Sequence, residues 1–241
     1  MLRSMIVTAG AGALFASTAA ATPVFVGFIE FRDSYGSTGG GEFRATGKTG
    51  WSIEVNRTGT AFQGGIASAP GMFETFCLED FENLPFEVTN YKADINTETV
   101  AQASAYAGGN HGGFNDALDP RTAYLYHHFL AGTLATPYDY VNEANRIDDA
   151  NAMQTAIWFI EQERTDALSG KALALFNEAD AAVTSGAWVG LGNVRVLNIY
   201  TNTARADYQD VIVELVTIPL PTGAAMAGVG LAGLGLVRRR K

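Results

Sequence analysis

The chain has a single cysteine, Cys77, within FETFCLEDF. One thiol excludes an internal disulfide and any multi-cysteine metal site. Four roles remain: buried apolar filler, a link to another chain, a hydrolase nucleophile, or a thiol acylated by a partner within its own chain. A hydrolase nucleophile needs a base, normally histidine. The histidines are His111, in the loop-like GGNHGGF, and His127 and His128. The last two are adjacent on a predicted helix and point about 100° apart, which suits a surface residue beside a boundary residue. No protease or transferase signature surrounds Cys77. An internal acyl partner exists in AMQTAIWFIEQE: Gln154, one turn before Trp158. The acids Glu79, Asp80, Glu82, Asp148, Asp149, Glu161 and Glu163 match no calcium loop. They read as solvated faces and helix caps, and neither a metal nor a cofactor is expected.

Strand-like segments come first among the elements that must position these residues. VFVGFIEFRD and WSIEVNRTG alternate or run apolar with β-branched and aromatic residues, separated by the glycine-rich turn GSTGGGEF. The Cys77 segment and FEVTNYKADI read as further strands. In the first of these, Phe76 and Leu78 share one face, read as core. Cys77 shares the other with Thr75 and Glu79, a second interface against the helices. Asp119–Pro120 is an N-cap with proline at the first helical position, and RTAYLYHHFLAGTL runs on to Gly132. Asp148 and Asp149 open the next predicted helix. Met153, Ile157 and Ile160 form its buried stripe, and Gln154 borders that stripe, half-buried. ALSGKALALFNEADAAV forms a third helix ending near Gly186. WVGLGNVRVLNIYT and DVIVELVTI return to strand. The expected fold is α+β: one sandwich- or barrel-like β-sheet body with a helical block inserted between its first and last strands.

Phe-Cys on a strand, followed by Gln-x-Ala-Ile-Trp on a helix, resembles the thioester domains of bacterial surface adhesins. ETFCLE and MQTAIW match that family's cysteine and glutamine segments, and TAYLYHHFLAGTL resembles its helical insert. The resemblance covers about residues 73–165. It implies that the Cys77 thiol attacks the Gln154 carboxamide, releasing ammonia and leaving an internal thioester that a partner's lysine amine can attack. Such a bond needs preorganisation, oxyanion donors that the sequence does not identify, and a roof against water. Trp158, Phe76 and Tyr126 are the candidate roof. No turnover is expected. The alternatives are a non-catalytic β-rich matrix or surface protein in which Cys77 and Gln154 only pack, and a cysteine hydrolase.

The two ends point to export. MLRSMIVTAGAGALFASTAAATP has a basic start, a weakly apolar run and small residues for cleavage, which is the layout of a signal peptide over residues 1–21. One exported domain, 22–217, follows. Residues 218–241 carry Pro219, Leu220 and Pro221, an apolar segment, and Arg238, Arg239, Arg240 and Lys241. A terminal basic cluster behind an apolar segment is a membrane stop, short of the roughly 20 residues of a full span. IPLPTG, the Gly/Ala/Leu stretch and RRRK together resemble PEP-CTERM sorting tails of the "VPLP" kind, found on proteins exported by Gram-negative bacteria. Leu220-Pro221-Thr222-Gly223 lacks the spacer residue of a Gram-positive sortase motif. The resemblance implies an exosortase-like processing enzyme, transient inner-membrane association, and a final place at the cell surface or in the extracellular matrix. The net charge of -9 argues against nucleic acid as a partner.

Overall fold

Alternating and continuous apolar runs build six antiparallel strands in one sheet. The computed structural model describes residues 22–32, 35–36, 40–57, 72–86, 88, 90–100, 115–201 and 208–216. The expected signal peptide, the tail residues Pro219, Leu220, Pro221, Arg238, Arg239, Arg240 and Lys241, and His111 lie outside them. In chain order the sheet strands are β1 (Val24–Arg32), β2 (Phe43–Gly47), β3 (Met72–Thr75), β4 (Tyr91–Asn96), β7 (Val194–Tyr200) and β8 (Val211–Glu214). Their spatial order is β3-β2-β1-β4-β7-β8. A two-stranded ribbon, β5 (Glu98–Val100) and β6 (Asn115–Ala117), leads into the helices.

The sheet nearly closes on itself. Just past β3, Ile212 N donates to Phe76 O at 3.2 Å and Leu78 N to Asp210 O at 3.0 Å, so Cys77 sits opposite Val211. This six-strand antiparallel near-barrel takes its three-helix block between β6 and β7. The helices are α1 (Pro120–Ala131), α2 (Glu143–Ile160) and α3 (Gly170–Thr184). Asp119 caps α1 through the Arg121 N–H, Pro120 sits in its first turn, and Gly132 ends it in the left-handed region. Among the described residues no helix is long and apolar enough to cross a membrane.

Three local expectations are corrected. Helix α2 begins at Glu143, ahead of Asp148, because the Asn142 side chain takes the Asn145 N–H as its N-cap. WSIEV is no strand: Val55 makes one bridge, to Leu215. The strand expected over FEVTNYKADI is only Tyr91–Asn96.

Two cores share the outer strands. Val194, Val196 and Ile212 face the helices, in a cluster with Phe76, Leu78, Leu125, Tyr126, Phe129, Met153 and Ile157. Leu197, Ile199, Val211 and Val213 face the barrel interior with Val26, Ile29, Phe31 and Tyr91. Strands covered on both faces carry apolar residues toward each, as Val211–Val213 of β8 do and as β7 does around Arg195 and Asn198. The main helix-facing residues of the Cys77 segment are thus Phe76 and Leu78. Cys77 faces a third, small cluster with Phe43 and Trp158, against which Phe86 packs.

Candidate functional site

Cys77 lies where the near-barrel closes, and this leaves its main chain half-used. The flanking residues Phe76 and Leu78 spend their carbonyl and N–H on Ile212 and Asp210, so those of Cys77 point the other way. The Gln154 carboxamide takes up both. Cys77 N donates to Gln154 Oε1 at 3.0 Å, and Gln154 Nε2 donates to Cys77 O at 2.7 Å. A second main-chain donor, Gly41 N, reaches the same Oε1 at 3.2 Å. The amide carbon is therefore held beside the residue that carries the sulfur, with its oxygen between two N–H groups.

Cys77 is 0% exposed and Gln154 1%, so Gln154 is deeper than the half-buried position expected of it. The cause is the double burial of α2. Met153, Ile157 and Ile160 face the helical core, while Arg146, Ala150, Gln154 and Trp158 follow an i, i+4 row and are buried as well. Burial, then the charges of Glu79 and Asp80, pushes the Cys77 thiol well above its ordinary pKa. The sulfur is a thiol at neutral pH.

Gly40 and Gly41, just ahead of β2, lie against Gln154 and Trp158. A Cβ built on Gly40 would stand 2.2 Å from Trp158 and 2.8 Å from Gln154 Cγ, so the chain passes directly over both side chains. Gly40 and Gly41 hold φ of +144° and +121°, which side chains disfavour. The Arg164 guanidinium lies 4.2 Å from the Trp158 ring centroid and binds Asp80 with two hydrogen bonds of 2.7 Å.

Of the three aromatics expected to shield the pair, Trp158 packs on Cys77. Phe76 and Tyr126 belong to the helix-facing cluster, and the Tyr126 hydroxyl donates to Glu74 O at 2.6 Å. Phe43 stands on Cys77 instead. The imidazoles of His127 and His128 are engaged elsewhere: His127 Nδ1 lies 2.7 Å from Glu214 Oε1, and His128 Nδ1 lies 2.7 Å from Thr133 Oγ1.

The acids also need correcting, since Glu79, Glu82, Asp149 and Glu161 are all buried rather than solvated. Glu79 Oε2 accepts the Asp210 N–H at 2.7 Å, Asp149 pairs with Lys171, and Glu161 Oε1 accepts the Asp119 N–H at 3.3 Å. Desolvation pushes the Glu79 carboxyl well up, with Asp210 and Glu82 adding to it, and raises Glu161 to about 8. Among the described residues no group of His, Cys, Asp and Glu could hold a metal ion.

Sequence reasoning missed Gly40, Gly41, Glu42 and Arg146. The one visible signal was GGGEF, which reads as a hairpin turn. Glu42 and Arg146 form a buried ion pair, and the Tyr138 hydroxyl donates to Glu42 Oε2 at 2.9 Å. Burial opposes the Arg146 charge, but its bonds to Glu42 outweigh burial and raise its pKa. No protein-family model, no curated protein and no solved structure matches this chain.

Proposed function

We propose that the protein is an exported surface or matrix adhesin whose Cys77 and Gln154 join in an internal thioester. The bond would serve for covalent attachment to an amine-bearing partner. The observation that carries this is the two-donor seat of Gln154 Oε1, at 3.0 Å from Cys77 N and 3.2 Å from Gly41 N. Donors so placed stabilise the oxyanion that forms when sulfur adds to the amide carbon. Loss of one such donor typically costs about 100-fold in rate or more. The Cys77 Sγ–Cδ bond of Gln154 forms, the Cδ–Nε2 bond breaks, and the thiol proton leaves with nitrogen as ammonia. Holding the amide against the Cys77 main chain supplies the proximity that an unreactive acyl donor needs. Burial of both residues keeps water from the product.

In a second step a partner amine adds to the thioester carbonyl. Its nitrogen becomes an amide on the Gln154 acyl group, and Cys77 regains its thiol. The resemblance of the tail to PEP-CTERM segments supports export and processing by an exosortase-like enzyme, with an inner-membrane intermediate.

Intact mass of the purified protein tests the bond. A deficit of one ammonia, converted by methylamine to an adduct with a free thiol, is expected. Full composition mass, with Cys77 alkylated after unfolding in denaturant, rejects it. One observation favours a purely structural pair: the same hydrogen bonds satisfy main-chain groups of Cys77 and Gly41 that would otherwise be buried without partners. The mass measurement separates the two.

A further inference from the structure

Arg146 takes no part in that chemistry, yet it is the largest fully buried side chain among the described residues. It meets Tyr35 on one side and Glu42, next to Gly41, on the other. Its guanidinium binds the Glu42 carboxylate through two nitrogens, with Nε to Oε2 at 3.0 Å, and lies 4.0 Å from the centroid of the Tyr35 ring. Its third nitrogen donates to Tyr140 O at 3.0 Å. Tyr35 N donates to Glu42 O at 3.2 Å. Glu42 directly follows Gly41, whose N–H meets Gln154 Oε1. Arg146 and Gln154 stand on the same helix, about two turns apart.

Glycines at positive φ have no side chains with which to hold their own place, and they lose the most conformational freedom on ordering. Gly41 therefore depends on its neighbours to hold its place. A buried ion pair is a poor source of net stability, since desolvation offsets its attraction, but it does fix geometry. We propose that Arg146 and Glu42 are positioning residues. Their ion pair clamps Glu42 and the adjoining Gly41 to α2, keeps the Gly41 N–H on the Gln154 carbonyl oxygen, and so sets the rate of thioester formation. This rests on the thioester function proposed above.

The test uses the full chain made in a cell-free reaction, with ammonia loss followed by intact mass over time. Removing one partner would leave a buried charge alone, so the main variant is the double neutral change Glu42→Gln with Arg146→Met. It is expected to keep the wild-type melting temperature within a few degrees while forming the bond about 100-fold more slowly. In the fraction that forms, the thioester carbonyl stretch should move to higher wavenumber, because a hydrogen bond to the oxygen is lost. Should the double variant fail to fold, Tyr35→Leu, which removes the aromatic ring against Arg146 but leaves the ion pair in place, is read instead and should slow formation several-fold. A folded variant with wild-type rate and stretch overturns the clamp while leaving the thioester standing. A wild-type chain that never loses ammonia overturns both.

Discussion

The Gln154 carboxamide is paired with the main chain of Cys77 as a neighbouring strand would be: N–H to Oε1 at 3.0 Å, and Nε2 to carbonyl at 2.7 Å. A side chain from a helix thus stands in for the strand missing at the seam of the near-barrel. That places an acyl group beside a thiol inside a buried cluster.

Gln154→Ala should abolish any ammonia deficit and also destabilise the fold. It strands the N–H groups of Cys77 and Gly41, which Oε1 accepts in the amide and would accept in the thioester alike. Each unsatisfied buried group costs about 1–3 kcal/mol, with partial relief by rearrangement, so the expected loss is about 2–4 kcal/mol. Urea unfolding monitored by tryptophan fluorescence reads it. A variant as stable as the wild type would mean that the carboxamide carries no structural weight.

Gly40→Ala should disturb the site more than a left-handed glycine elsewhere. Its Cβ would stand 2.2 Å from Trp158, whereas at Gly190, also at positive φ, no atom lies within 4 Å. Gly190→Ala should cost about 1 kcal/mol. Gly40→Ala should cost about 2–4 kcal/mol, or displace the backbone there and slow bond formation. Denaturant midpoints of the two variants, side by side, check the contrast.

Stability should fall as pH rises from about 5 to about 9. Burial and the neighbouring Glu42 raise Glu74 from 4.5 to about 9, and burial raises Glu161 to about 8. Both carboxyls stay protonated in the folded chain at pH values where the unfolded chain has released its protons. Their contribution is complete below about pH 4.5 and disappears as pH passes through the folded values. Melting temperatures across this range, flattened in Glu74→Gln and Glu161→Gln, give the check. A profile that rises with pH would contradict it.

Arg164→Ala should let small amines reach the bond faster. The half-exposed guanidinium lies 4.2 Å from the Trp158 ring centroid and is tied to Asp80. Its side chain is 37% exposed, so the salt bridge adds no more than about 1 kcal/mol to stability. The rate of methylamine adduct formation should rise several-fold, with little change in the melting temperature. An unchanged rate would place the route of entry elsewhere.

The local sequence determined those features that depend on neighbouring residues. Asp119–Pro120 and Gly132 bound α1 because caps act within a turn of the chain. The apolar residues of β7 and β8 follow from burial on two faces, and a thiol with a glutamine before Ala-Ile-Trp marked the pair that the fold brings together. Asp148–Asp149 misled as a helix start because Asn142, further upstream, offers a cap of the same chemical kind. What tertiary structure alone decided is the environment of that pair. Gly41 lies 113 positions from Gln154, Glu42 lies 104 from Arg146, and Cys77 lies 77 from Gln154. No short-range pattern encodes such contacts: sheet closure and the packing of α2 bring these groups together, so the donors around the amide oxygen and the clamp behind them exist only in the folded chain.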